Sequence, residues 1–396
     1  MLALLWLLPL AWALLLAWHA RRLVALWHEP VWRCPVLVIE SDDWGAGVLS
    51  QAAALDALRA LLGRHRDHTG RHPVMTLGIV LAIADTEAIR AAAGREYLHI
   101  VLDDARLTPV LAALCAGIAD GVFAPQLHGM EHYWPPAVMA AAQTDKQVAV
   151  WLAGDVLPRT EDLPSPLQSR WTAAAVLPSL PLSIPEINEA AAAETAAFQS
   201  IFGMTAQVAV PTTFVWNDAV ERAWAAHGVR CIVTPGTRHE YRDAQGRPAG
   251  DGRSILNGER GQNDVRYVVR DQYFEPALGH RAEQGLAALA RQTTCARPTL
   301  LETHRFNFLG ESADAALQEL DRLLSEACAA YPALRFLSTQ EIAGAMARQD
   351  TQLTETSLHP RLRAWLARIH ILPRFAKLAR LTGLVLPLWL LGKWAA

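Results

Sequence analysis

At 396 residues the chain is long enough for one large α/β domain with appendages, or for two domains. Hydrophobic residues make up 52% and charged ones 19%, with the apolar excess at the two ends, and a net charge of -3 without a central basic patch argues against a nucleic-acid binder. Five scattered cysteines (Cys34, Cys115, Cys231, Cys295, Cys328) make neither a CxxC zinc pattern nor a disulfide framework, and fit a reducing compartment.

Residues 1–18 carry no charge and are mostly Leu, Ala and Trp; His19, Arg21 and Arg22 follow. This length suffices for a membrane helix, straight or bent at Pro9, or for a helix lying in the interface. Neither the basic n-region nor the small-x-small cleavage site of a signal peptide is clear. With the Arg pair on the C-terminal flank, the positive-inside rule places the main domain on the cytoplasmic side of an inner membrane and leaves the periplasmic side open. Segment 1–30 is therefore expected to be a membrane-anchor or interfacial helix.

From residue 31 to residue 348, strand-like and helix-like runs alternate. Strands are expected at 35–41, 74–82, 99–102, 121–127, 206–213, 230–234, 265–270, 299–303 and 334–338. Helices are expected at 52–64, 86–93, 108–118, 136–153, 187–202, 218–227, 281–291 and 313–330. The rhythm predicts parallel strands with covering helices. With no GxGxxG turn after the first strand, a distorted (β/α) barrel of seven or eight strands is preferred to an open doubly wound sheet. Residues 157–185 and 236–264 read as long excursions. In the tail, 349–396, Arg361, Arg363, Arg368, Arg374, Lys377, Arg380 and Lys393 alternate at helical spacing with Leu362, Trp365, Leu366, Ile369, Leu372, Phe375 and Leu378. That pattern predicts a basic amphipathic helix on an anionic membrane surface, or else one packed on the barrel with a solvated basic face.

Three strand ends carry chemistry. Val36-Leu37-Val38-Ile39-Glu40-Ser41-Asp42-Asp43-Trp44-Gly45 runs from a buried strand into two adjacent carboxylates. Side chains alternate along a strand, so both can share one site only where it breaks into a loop. Neighbouring carboxylates ask for a cation, for acid–base work, or for both; a solvated Asp-Asp turn is the plain alternative. Leu127-His128-Gly129-Met130-Glu131-His132 offers two imidazoles four apart, which face one way if a helix starts at Gly129. Two imidazoles and a carboxylate are a zinc-type donor set. His68 and His72 share the spacing but lie beside Arg64 and Arg71 in a turn that leads into a strand, which disfavours a cation. Finally, Leu300-Leu301-Glu302-Thr303-His304 ends a late strand, and in a barrel all three ends open on one mouth.

Taken in order, these pieces resemble the polysaccharide deacetylases, the carbohydrate esterase family 4 or NodB homology group. Ser41-Asp42-Asp43-Trp44-Gly45 is similar to that family's Thr-Phe-Asp-Asp-Gly, His128 to His132 to its His-Ser/Thr-x-x-His, and the run ending at His304 to its Leu-x-Leu-His strand. The resemblance implies a barrel that removes N-acetyl (or O-acetyl) groups from a polysaccharide or its lipid-linked precursor with a divalent metal, zinc being expected. It implies Asp43, His128 and His132 as metal ligands, Asp42 as general base and His304 as general acid. Trp44, Tyr133, Pro211, Trp216, Arg305 and Asn307 lie beside the motifs as expected substrate contacts, with core packing the default reading of each aromatic. The expected partners are a carbohydrate substrate, a membrane surface and polysaccharide-synthesis proteins.

One departure stands out. The family places an Arg before a Pro to orient the base, whereas this chain has Val210-Pro211 with no Arg; Asp271 is a candidate substitute or a surface carboxylate. Two alternatives therefore stay open. One is a non-catalytic glycan-binding or scaffold barrel. The other is a glycoside hydrolase pairing Asp42 with Glu131 or Glu302.

Overall fold

The computed structural model describes residues 2–154 and 156–395, with side chains from residue 7 onward. Met1 and Ala396, the outer ends of the expected anchor and tail, lie outside the described residues. Nine parallel strands form one sheet: β1 (Val36–Gly45), β2 (Met75–Val80), β3 (Phe123–Leu127), β4 (Val208–Ala209), β5 (Cys231–Thr234), β6 (Arg266–Val269), β7 (Gln272–Tyr273), β8 (Thr299–His304) and β9 (Arg335–Phe336). Their spatial order is β6-β5-β4-β3-β2-β1-β8-β7, with β9 beside β1. The two ends of this path, β6 and β7, are consecutive in sequence and separated only by Arg270 and Asp271. One continuous segment thus pairs with β5 through its first half and with β8 through its second, closing the distorted barrel.

Helices cover the outside: α2 (Gln51–Leu62), α3 (Thr108–Ala119), α4 (Ile184–Phe202), α5 (Asp218–Ala226), α6 (Ala282–Thr294) and α7 (Ala313–Ala330) follow α1 (Leu2–His28). Parallel strands buried on both faces read as continuous apolar runs, and the two faces of β1 enter different cores. Leu37 and Ile39 join Met75, Leu77, Ile79 and Leu301 under the helices. Val36 and Val38 join Val208, Val210, Cys231, Val233, Val268 and Leu300 inside the barrel. α8 (Thr339–Arg348) plugs the strand-start end of that interior with Ile342, Ala345 and Met346. The same parity carries Glu40 and Asp42 of β1, Glu302 and His304 of β8, and Arg270 into the barrel above the apolar layer.

Some local expectations change. His99–Val101 is not a barrel strand; it pairs antiparallel with Ala82–Ala84 in a separate ribbon. The helix expected at 136–153 is two, Pro135–Ala141 and Lys146–Ala153, because Asp145 caps a new start with bonds from Gln147 N and Val148 N. The tail divides into α9 (Leu358–Ile369), α10 (Pro373–Leu381) and α11 (Val385–Ala395), broken before Pro373 and at Gly383, which takes φ 74°. These helices pack on α1 through Leu15, Leu23, Leu26, Leu362, Leu366, Ile369 and Phe375. Not all of the basic face is surface. Arg368 is fully buried and donates to the carbonyls of Leu26, Glu29, Pro30, Cys295 and Ala296, tying the end of α1 to the turn before β8.

Removing that guanidinium leaves buried carbonyls without their donor, while Glu29 keeps Arg297. Arg368→Met is expected to destabilise the chain by roughly 3 kcal/mol or more, while the exposed Arg363→Met stays within about 0.5 kcal/mol. Denaturant midpoints of the two variants against the wild type check this.

Candidate active site

Above the apolar layer the barrel turns ionic. The register sets Glu40 beside Glu302 and Asp42 beside His304. Arg270 answers this charge: Nε donates to Glu40 Oε2 at 2.5 Å, Nη1 and Nη2 to the two oxygens of Asp42 at 2.5 and 2.9 Å, and Nη1 lies 3.3 Å from Glu302. Glu40 also accepts from Thr339 Oγ1 and, at 3.3 Å, from Gln126 Nε2. Burial alone would push the Asp42 carboxyl up; Arg270 outweighs it and holds the group below the usual carboxylate range. Glu302, with a lesser share of the guanidinium, is pushed by burial up to about 7.

Asp271 is not the substitute for the missing arginine. One residue further along the same segment, it faces outward, accepts from Leu300 N at 3.0 Å, and burial raises it to about 6. The guanidinium that grips Asp42 is that of Arg270, from a different strand end. Its sequence signal is weak: a second cation, after Arg266, at the end of the strand-like run 265–270.

Asp43 reaches the site by a bulge rather than by the expected break. β1 continues to Gly45, but its register against β2 shifts between Ser41 and Trp44, and Asp43 takes φ 72°. A bulge with a left-handed residue cancels the alternation that would turn Asp43 away from Asp42. Gly78 on β2 makes room, since a Cβ there would run into the Asp42 carboxylate. His128 and His132 likewise converge through a loop, not a helix: Gly129 takes φ 103° and the next helix begins at Pro135. Behind that loop Arg170 donates to Glu131 at 2.7 Å and to Glu194 at 2.8 Å, and Glu194 accepts from Met130 N at 3.0 Å.

Asp43 Oδ1 lies 3.4 Å from His128 Nε2 and 3.2 Å from His132 Nε2. Ligand atoms about 2.0–2.2 Å from one tetrahedral ion stand roughly 3.3–3.5 Å apart, so the three donors fit a zinc-like cation. Asp43 Oδ1 is buried and, among the described residues, has no hydrogen-bond partner. His128 Nδ1 bonds the Val210 carbonyl at 2.9 Å, which fixes the tautomer and leaves Nε2 as the free donor atom. Burial holds His132 neutral, down at about 4, although Asp43 opposes it. Asp43 stays ionised because His132, His128 and His304 outweigh its burial. A second cluster, Asp42, Glu302 and His304, is close enough for an ion; there the Arg270 guanidinium already supplies the positive charge.

His304 bonds Glu275 Oε1 through Nδ1 at 2.6 Å. Burial would lower its pKa, but Glu275, Asp43 and Asp42 raise it to about 10, so the imidazole is protonated near neutrality. Glu275 is held in turn by Asn307 Nδ2, and Asn307 Oδ1 accepts from Ala277 N at 3.0 Å. These groups open on a cavity of about 650 Å³ whose wall includes Pro211, Thr213, Phe214, Tyr273, His280 and Phe306.

Of the six expected substrate contacts, only Pro211 lines this cavity. The other five are corrected. Trp44 is buried, bonds Ser41 Oγ at 2.8 Å and stacks on Phe308. Tyr133 is buried against Ala84 N and Tyr97. Trp216 is buried and bonds Glu221 at 2.8 Å. Arg305 is 3% exposed and braces Glu161 at 2.7 Å, and Asn307 is the Glu275 holder just described. Sequence reading missed Arg270, Glu275 and the pairing of Glu40 with Glu302, although it named Glu302 as a partner of Asp42. An acid at the inward parity of an apolar strand was the available signal for the last two; Glu275 had none.

No family model matches the sequence, and no curated protein is similar to it. Among solved structures the chain is similar to a protein from Mycobacterium smegmatis assigned to the polysaccharide deacetylases, at 12% identity and TM-score 0.43, covering 83% of this chain and 96% of that one. It is also similar to a family 4 acetyl xylan esterase from Clostridium thermocellum in complex with a cobalt ion (11%, TM-score 0.38, covering 78% and 89%). A third is a 4-alpha-glucanotransferase from Thermococcus litoralis (8%, TM-score 0.41, covering 79% of this chain and 40% of that one). Such distant likenesses assign no role to any residue.

Two outcomes follow from the site. Arg270→Lys keeps a positive charge but loses the bidentate grip on Asp42. It is expected to lower kcat by about 10²-fold, with bound metal retained on elemental analysis. Glu275→Gln removes an anionic partner of His304, so the imidazolium deprotonates at lower pH. The alkaline limb of the kcat profile should move down by roughly one to two pH units, with the acid limb unmoved.

Proposed function

We propose that the chain is a metal-dependent hydrolase that removes N-acetyl, or O-acetyl, groups from a polysaccharide. The observation that carries this reading is the buried, unpartnered Asp43 Oδ1 between two imidazole Nε2 atoms, with an oriented carboxylate and a protonated imidazole beside it. Asp43, His128 and His132 would hold the ion, and the nitrogen–oxygen donor set suits Zn²⁺. What a divalent cation supplies when bound is Lewis acidity toward an acyl carbonyl and toward water.

The chain's own groups do the rest. The cavity receives the acylated sugar, with Tyr273, Phe214 and Phe306 as its aromatic surface. Asp42, ionised and locked by Arg270, accepts the proton of the attacking water. His304, protonated and aimed by Glu275, gives its proton to the leaving nitrogen, without which an amine is a poor leaving group.

Two other readings lose ground on particular contacts. A scaffold barrel was suggested by the absent arginine, and Arg270 occupies that role. In a glycosidase, two carboxylates must flank a sugar. Glu131 is committed to Arg170 and His99, while Asp42 and Glu302 both approach Arg270 Nη1, leaving no ring's width between them.

α1 is long and apolar enough to cross a membrane. It enters β1 at the strand-start end, whereas the cavity lies at the strand-end mouth; Val36 to Asp42 alone spans about 20 Å. A glycan extending away from the bilayer suits this arrangement better than a lipid-linked sugar at the headgroups. The flanking Arg21 and Arg22 favour the cytoplasmic side, where polysaccharide-synthesis proteins would be the neighbours.

The test is metal content and product. Wild type should carry about one zinc per chain, and Asp43→Ala and His128→Ala should carry far less. Acetate, and no reducing sugar, should appear from an N-acetylated glycan. Equal metal in all three proteins, or reducing ends in place of acetate, overturns the proposal.

A further inference from the structure

The terminal helices have a polarity that catalysis does not use. Residues 1–28 and 356–396 contain no Asp or Glu. α10 runs antiparallel along α1: the Phe375 ring meets His19 at 5.4 Å, and seven residues on, Trp12 Nε1 donates to the Thr382 carbonyl at 2.8 Å. Seven helical residues cover about 10 Å. At the inner level, nearest the barrel, Arg21 and Arg22 of α1 face the same cleft as Arg374 of α10. The cleft has a volume of about 620 Å³, and Trp18, His19 and Phe375 complete its principal wall. All three arginines are exposed, and among the described residues none has a carboxylate partner. At the outer level the surface is apolar: Leu7, Leu8, Leu10 and Leu14 of α1 are more than half exposed, as is Leu381 at the α10 corner. α11 then turns 106° away from α10, with Leu386, Trp389, Leu390 and Trp394 exposed.

The order from the barrel outward is a guanidinium layer, then Trp18, 86% exposed, then aliphatic surface. That is the order of phosphate, carbonyl boundary and acyl chain in one leaflet. Arginine forks match phosphate oxygens, and three of them around one cleft without an anion of their own are an incomplete ion cluster. Lys377 and Arg380 continue the charge along α10 and add diffuse attraction, and this cleft is where α1 and α10 bring arginines together. We propose that the Arg21–Arg22–Arg374 cleft is a binding site for the phosphate of one anionic membrane phospholipid, which seats the helices in the leaflet while the catalytic mouth points the other way.

The experiment is native mass spectrometry of the full chain in detergent micelles titrated with phosphatidylglycerol. Wild type should retain one lipid. Arg374→Gln and the double variant Arg21→Gln/Arg22→Gln should weaken retention by about fivefold per charge removed. Arg363→Gln, an exposed and unpaired arginine outside the cleft, should leave it unchanged. Acetate release by all variants should match wild type, which also shows that they are folded. The proposal is overturned if wild type retains no lipid, if Arg363→Gln loses as much as Arg374→Gln, or if millimolar inorganic phosphate displaces the lipid. The second outcome marks diffuse attraction and the third a free-anion site.

Discussion

One buried guanidinium governs the middle of this barrel. Strand pairing forces Glu40, Asp42 and Glu302 into the same interior layer, because β1 and β8 are parallel, adjacent and in register. Three carboxylates at that depth cannot all ionise without a cation. Arg270 meets all three from the segment that closes the barrel. Closure and charge balance are therefore one event: the residue that lies between β6 and β7 is the residue that neutralises the interior.

Asp42 is locked, with both oxygens bonded to Arg270, whereas Asp43, its neighbour, has an oxygen with nothing to bond. The same dipeptide thus supplies a fixed carboxylate and an available one. The difference costs backbone strain at Asp43, which sits in the left-handed region where a non-glycine residue is rare. Around this pair, supporting polar contacts hold each imidazole through a partner it does not share: Val210 for His128, Glu275 and Asn307 for His304, Arg170 and Glu194 for the loop between the histidines. Buried groups held this way are fixed in orientation before anything binds.

The chain is also polarised end to end. The apolar plug of α8 and the terminal helices occupy the strand-start side, and the cavity occupies the strand-end side. Arg368 joins the two by bonding the end of α1 and the turn before β8 at once. Arg368, one of the bases of the tail's helical stripe, is instead the tie between α1 and the barrel, while Arg374, one residue beyond Pro373, is exposed.

The amino-acid sequence by itself determined the alternation of apolar strands and Ala/Leu-rich helices, the charge-free N-terminus, the basic tail with no acid from residue 356 on, and the three polar strand ends at Asp42–Asp43, His128–His132 and His304. Those are matters of local composition and period, legible without contacts. The tertiary structure alone decided which residue faces which. Trp44, Tyr133, Trp216 and Asn307 lie close to the motifs in sequence yet face away from the cavity, because one step along a strand or loop reverses a side chain. Arg270 and Glu275 lie far from Asp42 and His304 in sequence and touch them, because barrel closure brings residues 266–275 beside the strand ending at His304. Between Arg270 and Asp271 the choice was a single residue of parity, and parity is set by strand pairing, which no stretch of this sequence states alone.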